Sequence, residues 1–169
     1  MRLSTLVKGR SLLPDGGMRL RVLHPHSPVE SLVGRPAVRV HADDSLAVAG
    51  RVMRSHNISA VLVGAGHRAI VTERDITRAI AEDYLPDTPV GEVATPLPVT
   101  VSSEMTIVAA AAVMLNQEVR HLVVESPDGT VGIVSIRDVM AVLLQSTHPE
   151  LWLAALRMNL GVSEEPWPV

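Results

Sequence analysis

The amino-acid sequence contains no cysteine and no phenylalanine, and its aromatic residues are limited to two tryptophans and one tyrosine among 169 residues. The absence of cysteine excludes disulfide bonds, thiolate nucleophiles and cysteine-ligated zinc, and it suits a reducing compartment. The shortage of aromatic side chains removes the platforms on which single-stranded nucleic acids usually stack. Any core must therefore be built from valine, alanine, leucine, isoleucine and methionine.

The chain also lacks a long apolar run and an excess of positive charge. Its longest strongly apolar stretch, Ile107 to Leu115, has about half the length that a bilayer-spanning helix needs. The first residues contain no signal-peptide hydrophobic region. The formal net charge is −3, whereas DNA-binding proteins usually present a basic patch. We therefore expect a cytoplasmic globular protein whose partners include neither a nucleic acid nor a membrane.

What the chain does contain is an internal repeat. Residues 27–63 align without a gap with residues 88–124, and after a two-residue insertion residues 68–80 align with residues 131–143. Identical residues recur at matching positions, including Pro28/Pro89, Met53/Met114, Ile70/Ile133, Arg74/Arg137 and Asp75/Asp138. The chain is therefore interpreted as two copies of one unit, which we call copy one and copy two.

Each copy is predicted to be a β-α-β-β-α unit preceded by a helical turn. Short apolar runs predict the strands, with the first strand of each copy at 37–40 and 98–101. Apolar spacings of three and four predict two helices per copy, the last of them at about 73–82 and 136–145. The fold class is therefore α+β (mixed α/β). We assign 1–26 to a partly flexible N-terminal extension, 27–87 and 88–147 to the two units, and 148–169 to a C-terminal docking helix and tail.

The strongest chemical signal is the strand-to-helix junction near the end of each copy, IVTERD (70–75) and IVSIRD (133–138). A hydroxyl at the N-cap with an acidic residue three positions later is close to a capping box, which is a purely structural role. The same junction suits a phosphorylated ribose, because a helix N-terminus attracts phosphate, an arginine adds charge and a carboxylate accepts hydrogen bonds from sugar hydroxyls. Its recurrence favours a binding role for Thr72, Arg74, Asp75, Ser135, Arg137 and Asp138.

Two further patterns point elsewhere. Gly64-Ala65-Gly66 follows a strand as a dinucleotide-binding loop does, which would indicate an enzyme, but the next residues predict a second strand rather than the helix that holds a pyrophosphate. His24 and His26 are spaced like a pair of metal ligands, but no further ligand lies near them in the sequence. No general base with a partner, nucleophile or metal constellation is visible. We expect no catalysis, no catalytic cofactor and no bound metal.

The doubled junction resembles the motif of tandem CBS-domain proteins, known as Bateman modules. The family motif reads approximately G-h-h/x-T/S-x-x-D/N, which Gly132 to Asp138 match, whereas copy one has Ala69 in place of the glycine. The resemblance covers about residues 27–145. It implies two CBS units that pack with pseudo-two-fold symmetry and form a homodimer through their helices.

The resemblance also implies a function, that of a stand-alone regulatory module. Such a module binds an adenosyl ligand (AMP, ADP, ATP, S-adenosylmethionine or NAD) between its two units and signals to a partner protein by a change of conformation. The aspartates would accept the ribose hydroxyls, and the serine or threonine would bind the phosphate. Adenine would lie in an apolar slot near Ala37, Val38, Pro98 and Val99, with Ser59, Arg120 and His121 close by. The alternative is an interaction or scaffold protein in which Thr72 and Ser135 only cap helices.

Overall fold

The computed structural model describes residues 10–12, 18–20, 23–65 and 68–145. In these ranges the strands are β1 (Arg10–Leu12), β2 (Met18–Leu20), β3 (Arg39–Val40), β4 (Ala60–Val63), β5 (Ala69–Thr72), β6 (Thr95–Pro96), β7 (Thr100–Ser102), β8 (His121–Glu125) and β9 (Val131–Ser135). The helices are α1 (Leu46–His56), α2 (Glu73–Ala81), α3 (Ile107–Asn116) and α4 (Ile136–Gln145). None of these described helices is long and apolar enough to cross a membrane. The C-terminal helix predicted within 148–169 lies outside the described residues.

The strands form two larger sheets and a separate hairpin. Each larger sheet is built on one copy, and β6, from the start of copy two, joins the sheet of copy one by pairing with β5. The first sheet has the order β3-β4-β5-β6 and the second the order β7-β8-β9, and in each the first pair is parallel and the next antiparallel. The predicted β-α-β-β-α unit and the mixed α+β class are therefore confirmed. Strands β1 and β2 pair antiparallel within the N-terminal extension, an element that the sequence pattern did not predict.

The short 3₁₀ turns Val29–Leu32 and Val90–Glu92, which we call the first and second lead-in turns, are exchanged between the copies. Val29 is fully buried in the core of copy two, and Val90 is fully buried in the core of copy one. Leu32 and Val33 also pack on the core of copy two. Each lead-in turn thus packs on the other copy and not on the copy that follows it in the sequence, and a valine from that turn completes the other copy's core.

The backbone of each lead-in segment also completes a helix of the other copy. The first two N–H groups of α3, from Ile107 and Val108, donate to the carbonyl oxygens of Ser27 and Pro25 at 3.0 and 2.9 Å. The corresponding groups of α1 donate to the carbonyl oxygens of Thr88 and Pro86 at 2.9 and 3.0 Å. N–H groups in the first turn of a helix have no partner within the helix. The exchange therefore satisfies donors that each copy would otherwise leave open.

The two sheets meet through a small apolar cluster. Ala60, Leu62 and Ile70 from copy one lie against Val123 from copy two, and all four are at most 7% exposed. Small aliphatic side chains allow the sheets to approach closely, which explains how a chain so poor in aromatics builds its core. This sheet-to-sheet contact relates the two copies by the pseudo-two-fold arrangement that the family resemblance implies.

At Gly132 in β9 the two copies pack so closely that no space is left for a side chain. A Cβ atom at this position would overlap Cγ1 of Val33 and lie 2.9 Å from its Cγ2. The glycines with positive φ in the described residues are Gly64 and Gly129, so Gly132 is explained by space rather than by backbone conformation. In the internal alignment Ala69 stands at the position of Gly132 and Ala94 at the position of Val33. The pair Val33 of copy one and Gly132 of copy two thus corresponds, in the alignment, to the pair Ala94 of copy two and Ala69 of copy one.

Candidate functional site

The junction of copy one holds a complete capping box between β5 and α2. Thr72 is the N-cap, and its Oγ1 accepts a hydrogen bond from the backbone N–H of Asp75 at 3.4 Å. Oδ2 of Asp75 accepts from the Thr72 N–H at 2.9 Å and from the Thr72 hydroxyl at 2.7 Å. Here the structural role foreseen for the motif is fulfilled, and it occupies one oxygen of the carboxylate.

The junction of copy two holds its aspartate in the same way between β9 and α4. Oδ2 of Asp138 accepts hydrogen bonds from the Ser135 N–H at 3.0 Å and from the Ser135 hydroxyl at 2.6 Å. These contacts orient the carboxylate at the first turn of α4, where the helix dipole favours negative charge. The two junctions thus share the serine or threonine contact to Oδ2 and differ in what surrounds Oδ1.

The second carboxylate oxygen distinguishes the copies. Oδ1 of Asp75 accepts a hydrogen bond from Nη2 of Arg78 at 3.0 Å, and Asp75 is only 6% exposed. Asp138 is exposed, and no described residue donates to its Oδ1. The residue that matches Arg78 in copy two is Ala141, whose methyl group cannot donate. Asp138 therefore presents a free acceptor to the cleft.

A cavity of about 100 Å³ opens beside Asp138. Its walls come from both copies, with an apolar part formed largely by copy one and a polar part by copy two. The lining residues are Arg35, Pro36, Ala37, Val38, Ile58, Ser59, Ala60, His121, Ile133, Ser135 and Asp138. A carboxylate next to apolar side chains suits a ligand with a flat apolar ring and adjacent hydroxyl groups.

A second cavity, of about 70 Å³, lies where the N-termini of α2 and α4 converge. Its most notable side chains are three arginines, Arg74, Arg120 and Arg137, with Glu73 beside them. No ion pair of these guanidinium groups is found within the described residues. Unpaired arginines at two helix N-termini form an environment that favours phosphate.

Ser59 and His121 join the two cavities, since both residues line each of them. Ser59 Oγ and His121 Nε2 lie 2.8 Å apart and form a hydrogen bond between the copies. Burial lowers the pKa of His121 below its ordinary value of 6.5, and the neighbouring Arg120 lowers it further. The carboxylates of Asp138, Glu73 and Asp75 act in the opposite direction without reversing the shift. His121 is therefore neutral at pH 7 in the folded protein.

The lowered pKa of His121 predicts a dependence of stability on pH. Below pH 6.5 the unfolded chain takes up a proton at this residue before the folded chain does, so the free energy of unfolding falls as the pH falls from 6.5 through the folded pKa. The variant His121→Gln keeps a polar side chain opposite Ser59 but cannot titrate. Urea unfolding between pH 5 and pH 8 should show a smaller loss of stability at low pH in the variant. Equal losses in both proteins would contradict the prediction.

Most of the site residues predicted from the sequence lie on the walls of these two cavities. They are Ala37, Val38, Ser59, Thr72, Arg74, Arg120, His121, Ser135, Arg137 and Asp138. Asp75, Pro98 and Val99 line neither cavity. Arg35, Pro36, Ile58 and Ile133 also line the cavities and were not predicted from the sequence. Arg78 was not predicted either, although the alignment of the two copies shows an arginine at this position in copy one and Ala141 in copy two.

The alternative sites foreseen in the sequence gain no support from the geometry. The segment after Gly64 leads into strand β5 from Ala69, not into the helix that a dinucleotide-binding loop requires. Within the described ranges, no group of three or more histidine, aspartate or glutamate side chains is placed to hold a metal ion. The two junctions and the two cavities beside them form the candidate site.

Comparison with known families identifies the fold. The CBS-domain profile matches residues 29–82 and 90–145. The chain therefore belongs to the CBS-domain family and contains two CBS domains, as the family resemblance predicted.

Individual relatives agree with this assignment. The chain is 34% identical over 123 residues to an inosine-5'-monophosphate dehydrogenase of Korarchaeum cryptofilum, a match of 71% of this chain and 24% of that protein. It is 36% identical over 104 residues to an uncharacterized 17.7 kDa protein of Acidianus ambivalens, covering 59% of this chain and 63% of the other. The chain thus spans about a quarter of the first relative and less than two thirds of the second.

A solved structure resembles the whole tandem unit. It is a CBS-domain protein of Pyrobaculum aerophilum complexed with AMP, which has 27% sequence identity to this chain and a TM-score of 0.62. The similarity covers 76% of this chain and 98% of the other. The tandem arrangement of this chain therefore resembles that of the Pyrobaculum protein.

Proposed function

We propose that this protein is a regulatory module that binds an adenosyl nucleotide in the cleft between its two CBS domains and signals to a partner protein. The observation that carries the proposal is the free carboxylate oxygen of Asp138 beside a cavity walled by both copies. The AMP complex of the Pyrobaculum relative supports the ligand class. No catalytic step is part of this function, and the match to a dehydrogenase, which covers 24% of that enzyme, does not lead us to propose one.

Each part of a nucleotide has a chemical counterpart in the cleft. The ribose hydroxyls are donors, and Oδ1 of Asp138 accepts from them. The phosphate lies at the start of α4 near Ser135, within reach of the arginine cavity and Arg137. The adenine ring packs against the apolar wall that includes Ala37 and Val38. This assignment retains the role that the family resemblance implies for Asp138, whereas the Ser135 hydroxyl, which donates to Oδ2 of Asp138, would have to turn to donate to the phosphate.

The position of the cleft suggests how occupancy is transmitted. A ligand that contacts both copies binds more tightly to the arrangement in which the two walls face it correctly, and so shifts the population towards that arrangement. The helices on the outer side of the sheets would then present a changed surface to a second copy of the chain, in a homodimer, and to the regulated protein. The hydrogen bond between Ser59 and His121 crosses the cleft and would report this rearrangement.

The proposal is tested by calorimetric titration with AMP, followed by ADP, ATP, S-adenosylmethionine and NAD. We expect Asp138→Asn to weaken binding about ten- to a hundred-fold, because hydrogen bonds to a charged group contribute about 1.5–3 kcal/mol. Asparagine retains one oxygen to accept from the Ser135 N–H, so the helix start is preserved. Asp43→Asn serves as a control that removes an exposed aspartate outside both cavities.

Two results would count against the proposal. The first is a well-folded, ligand-free protein that binds none of these compounds, which would favour the scaffold alternative in which Thr72 and Ser135 only cap helices. The second is binding that Asp138→Asn leaves unchanged. Thermal melting of each variant establishes that it is folded before titration.

A further inference from the structure

The strand-to-helix junctions of the two copies are not equivalent. They differ in the residue that lies three positions after the aspartate. Copy one has Arg78 at this position and copy two has Ala141. Residues three apart on a helix face the same side, so a long cationic side chain there reaches back to the carboxylate. Arg78 does so, and Nη2 lies 3.0 Å from Oδ1 of Asp75.

Both carboxylate oxygens of Asp75 are already engaged within the chain, and three of the roughly four acceptor positions that a carboxylate has are filled. Oδ2 binds the N–H and the hydroxyl of Thr72, and Oδ1 binds Arg78. The side chain of Asp75 is 9% exposed, whereas that of Arg78 is 54% exposed. Arg78 therefore covers Asp75 from the solvent side, in the place where sugar hydroxyls would have to approach.

The residues around the two aspartates also favour ligand access to Asp138 over access to Asp75. Ser59, a small residue at the entry to β4, lines the cavity beside Asp138, and the matching residue of copy two is Arg120. Arg120 lines the arginine cavity instead. The cavities described above include Asp138 but not Asp75. Pro98 and Val99, which match Ala37 and Val38, line neither of them.

We infer that the module binds one nucleotide per chain, at Asp138, and that Arg78 is an internal occupant that closes the site at Asp75. This inference rests on the proposed function and adds to it the number of ligands and the residue that sets this number. A ligand at Asp75 has to displace the guanidinium of Arg78 or share Oδ1 with it, and we expect this to make its binding about tenfold weaker than at Asp138. The junction of copy one thus keeps its aspartate, but Arg78 blocks ligand access to it.

The test is the number of AMP molecules bound per chain, measured by calorimetry. Wild-type protein should bind one, and Arg78→Ala, which gives copy one the residue found in copy two, should bind two. In the double variant Arg78→Ala/Asp138→Asn, the remaining binding should be that of the opened site alone. Arg51→Ala, which removes an exposed arginine on α1 outside both cavities, should leave the number at one.

The reciprocal substitution tests the same mechanism in copy two. Ala141→Arg places a guanidinium three residues after Asp138 and should weaken AMP binding at least tenfold, whereas Ala141→Gln, long but uncharged, should weaken it less. Thermal melting checks that both variants fold.

The possible failures can be told apart. Two AMP molecules bound by the wild-type protein, or one bound by a folded Arg78→Ala variant, would overturn the inference and leave the proposed function intact. No binding by wild type or by Arg78→Ala would overturn both.

Discussion

Gly132→Ala is expected to lower the free energy of unfolding by about 1–3 kcal/mol, the usual cost of forcing extra volume into a packed contact. The added Cβ would overlap Cγ1 of Val33 and lie 2.9 Å from Cγ2. Val33 cannot retreat easily because it follows the first lead-in turn, which is anchored in the core of copy two by Val29. Urea unfolding of the two proteins measures the difference.

The double variant Val33→Ala/Gly132→Ala separates this cause from any other. It places alanine at both positions, as the sequence already has at the corresponding positions Ala94 and Ala69. Val33→Ala alone removes apolar contacts and should destabilise the protein, yet in the presence of Gly132→Ala it should restore part of the lost stability. We expect a coupling free energy of about 0.5–3 kcal/mol between the two positions. If the two losses simply add, Val33 is not what excludes a side chain at 132.

This contact bears on how the family motif is read. The family motif includes this glycine in a ligand-binding signature, and Ala69 departs from the motif. The geometry gives the glycine a packing role between the copies. A glycine at this position therefore reflects the space that Val33 leaves, and it does not by itself say which junction binds a ligand. The residues that distinguish the junctions are Arg78 and Ala141.

Most of the fold was predictable because the chain repeats itself. Helix α4 begins and ends at the predicted residues, 136 and 145, since two copies with the same apolar pattern reinforce each prediction. The first strand of copy one is shorter than predicted, Arg39–Val40 instead of 37–40. The Ala37 N–H donates to the Val131 carbonyl of copy two at 2.8 Å, so this end of the segment pairs with the other copy.

The exchange of lead-in turns was not predictable from the alignment. An internal alignment shows which residues correspond, but Val29 and Val90 correspond equally well whether each packs on its own copy or on the other. The residues of the candidate site were easier to predict than the difference between its two junctions. Local patterns place Asp75 and Asp138 at helix starts, whereas the pairing of Arg78 with Asp75 depends on a side-chain conformation that spacing permits without requiring.

The exchange predicts that neither half of the chain folds alone. Cutting after Asp83 gives fragments 1–83 and 84–169, and each should lack a cooperative thermal transition. Fragment 84–169 loses Val29 from its core, and full burial of such a side chain contributes about 1.5–3 kcal/mol. It also loses the carbonyl oxygens that complete α3. A unit of about 60 residues has too small a core to absorb these losses.

Mixing the two fragments should restore the cooperative transition, because each carries the lead-in turn that the other needs. Val29→Asp in fragment 1–83 puts a charge where copy two has a fully buried valine, and it should prevent this complementation. The neighbouring exposed residue provides the control, since Glu30→Ala leaves the buried surface unchanged. Circular dichroism during heating measures the two separate fragments and the three mixtures. A cooperative transition of fragment 84–169 by itself would show that copy two does not depend on Val29, and the exchange would then have no role in stability.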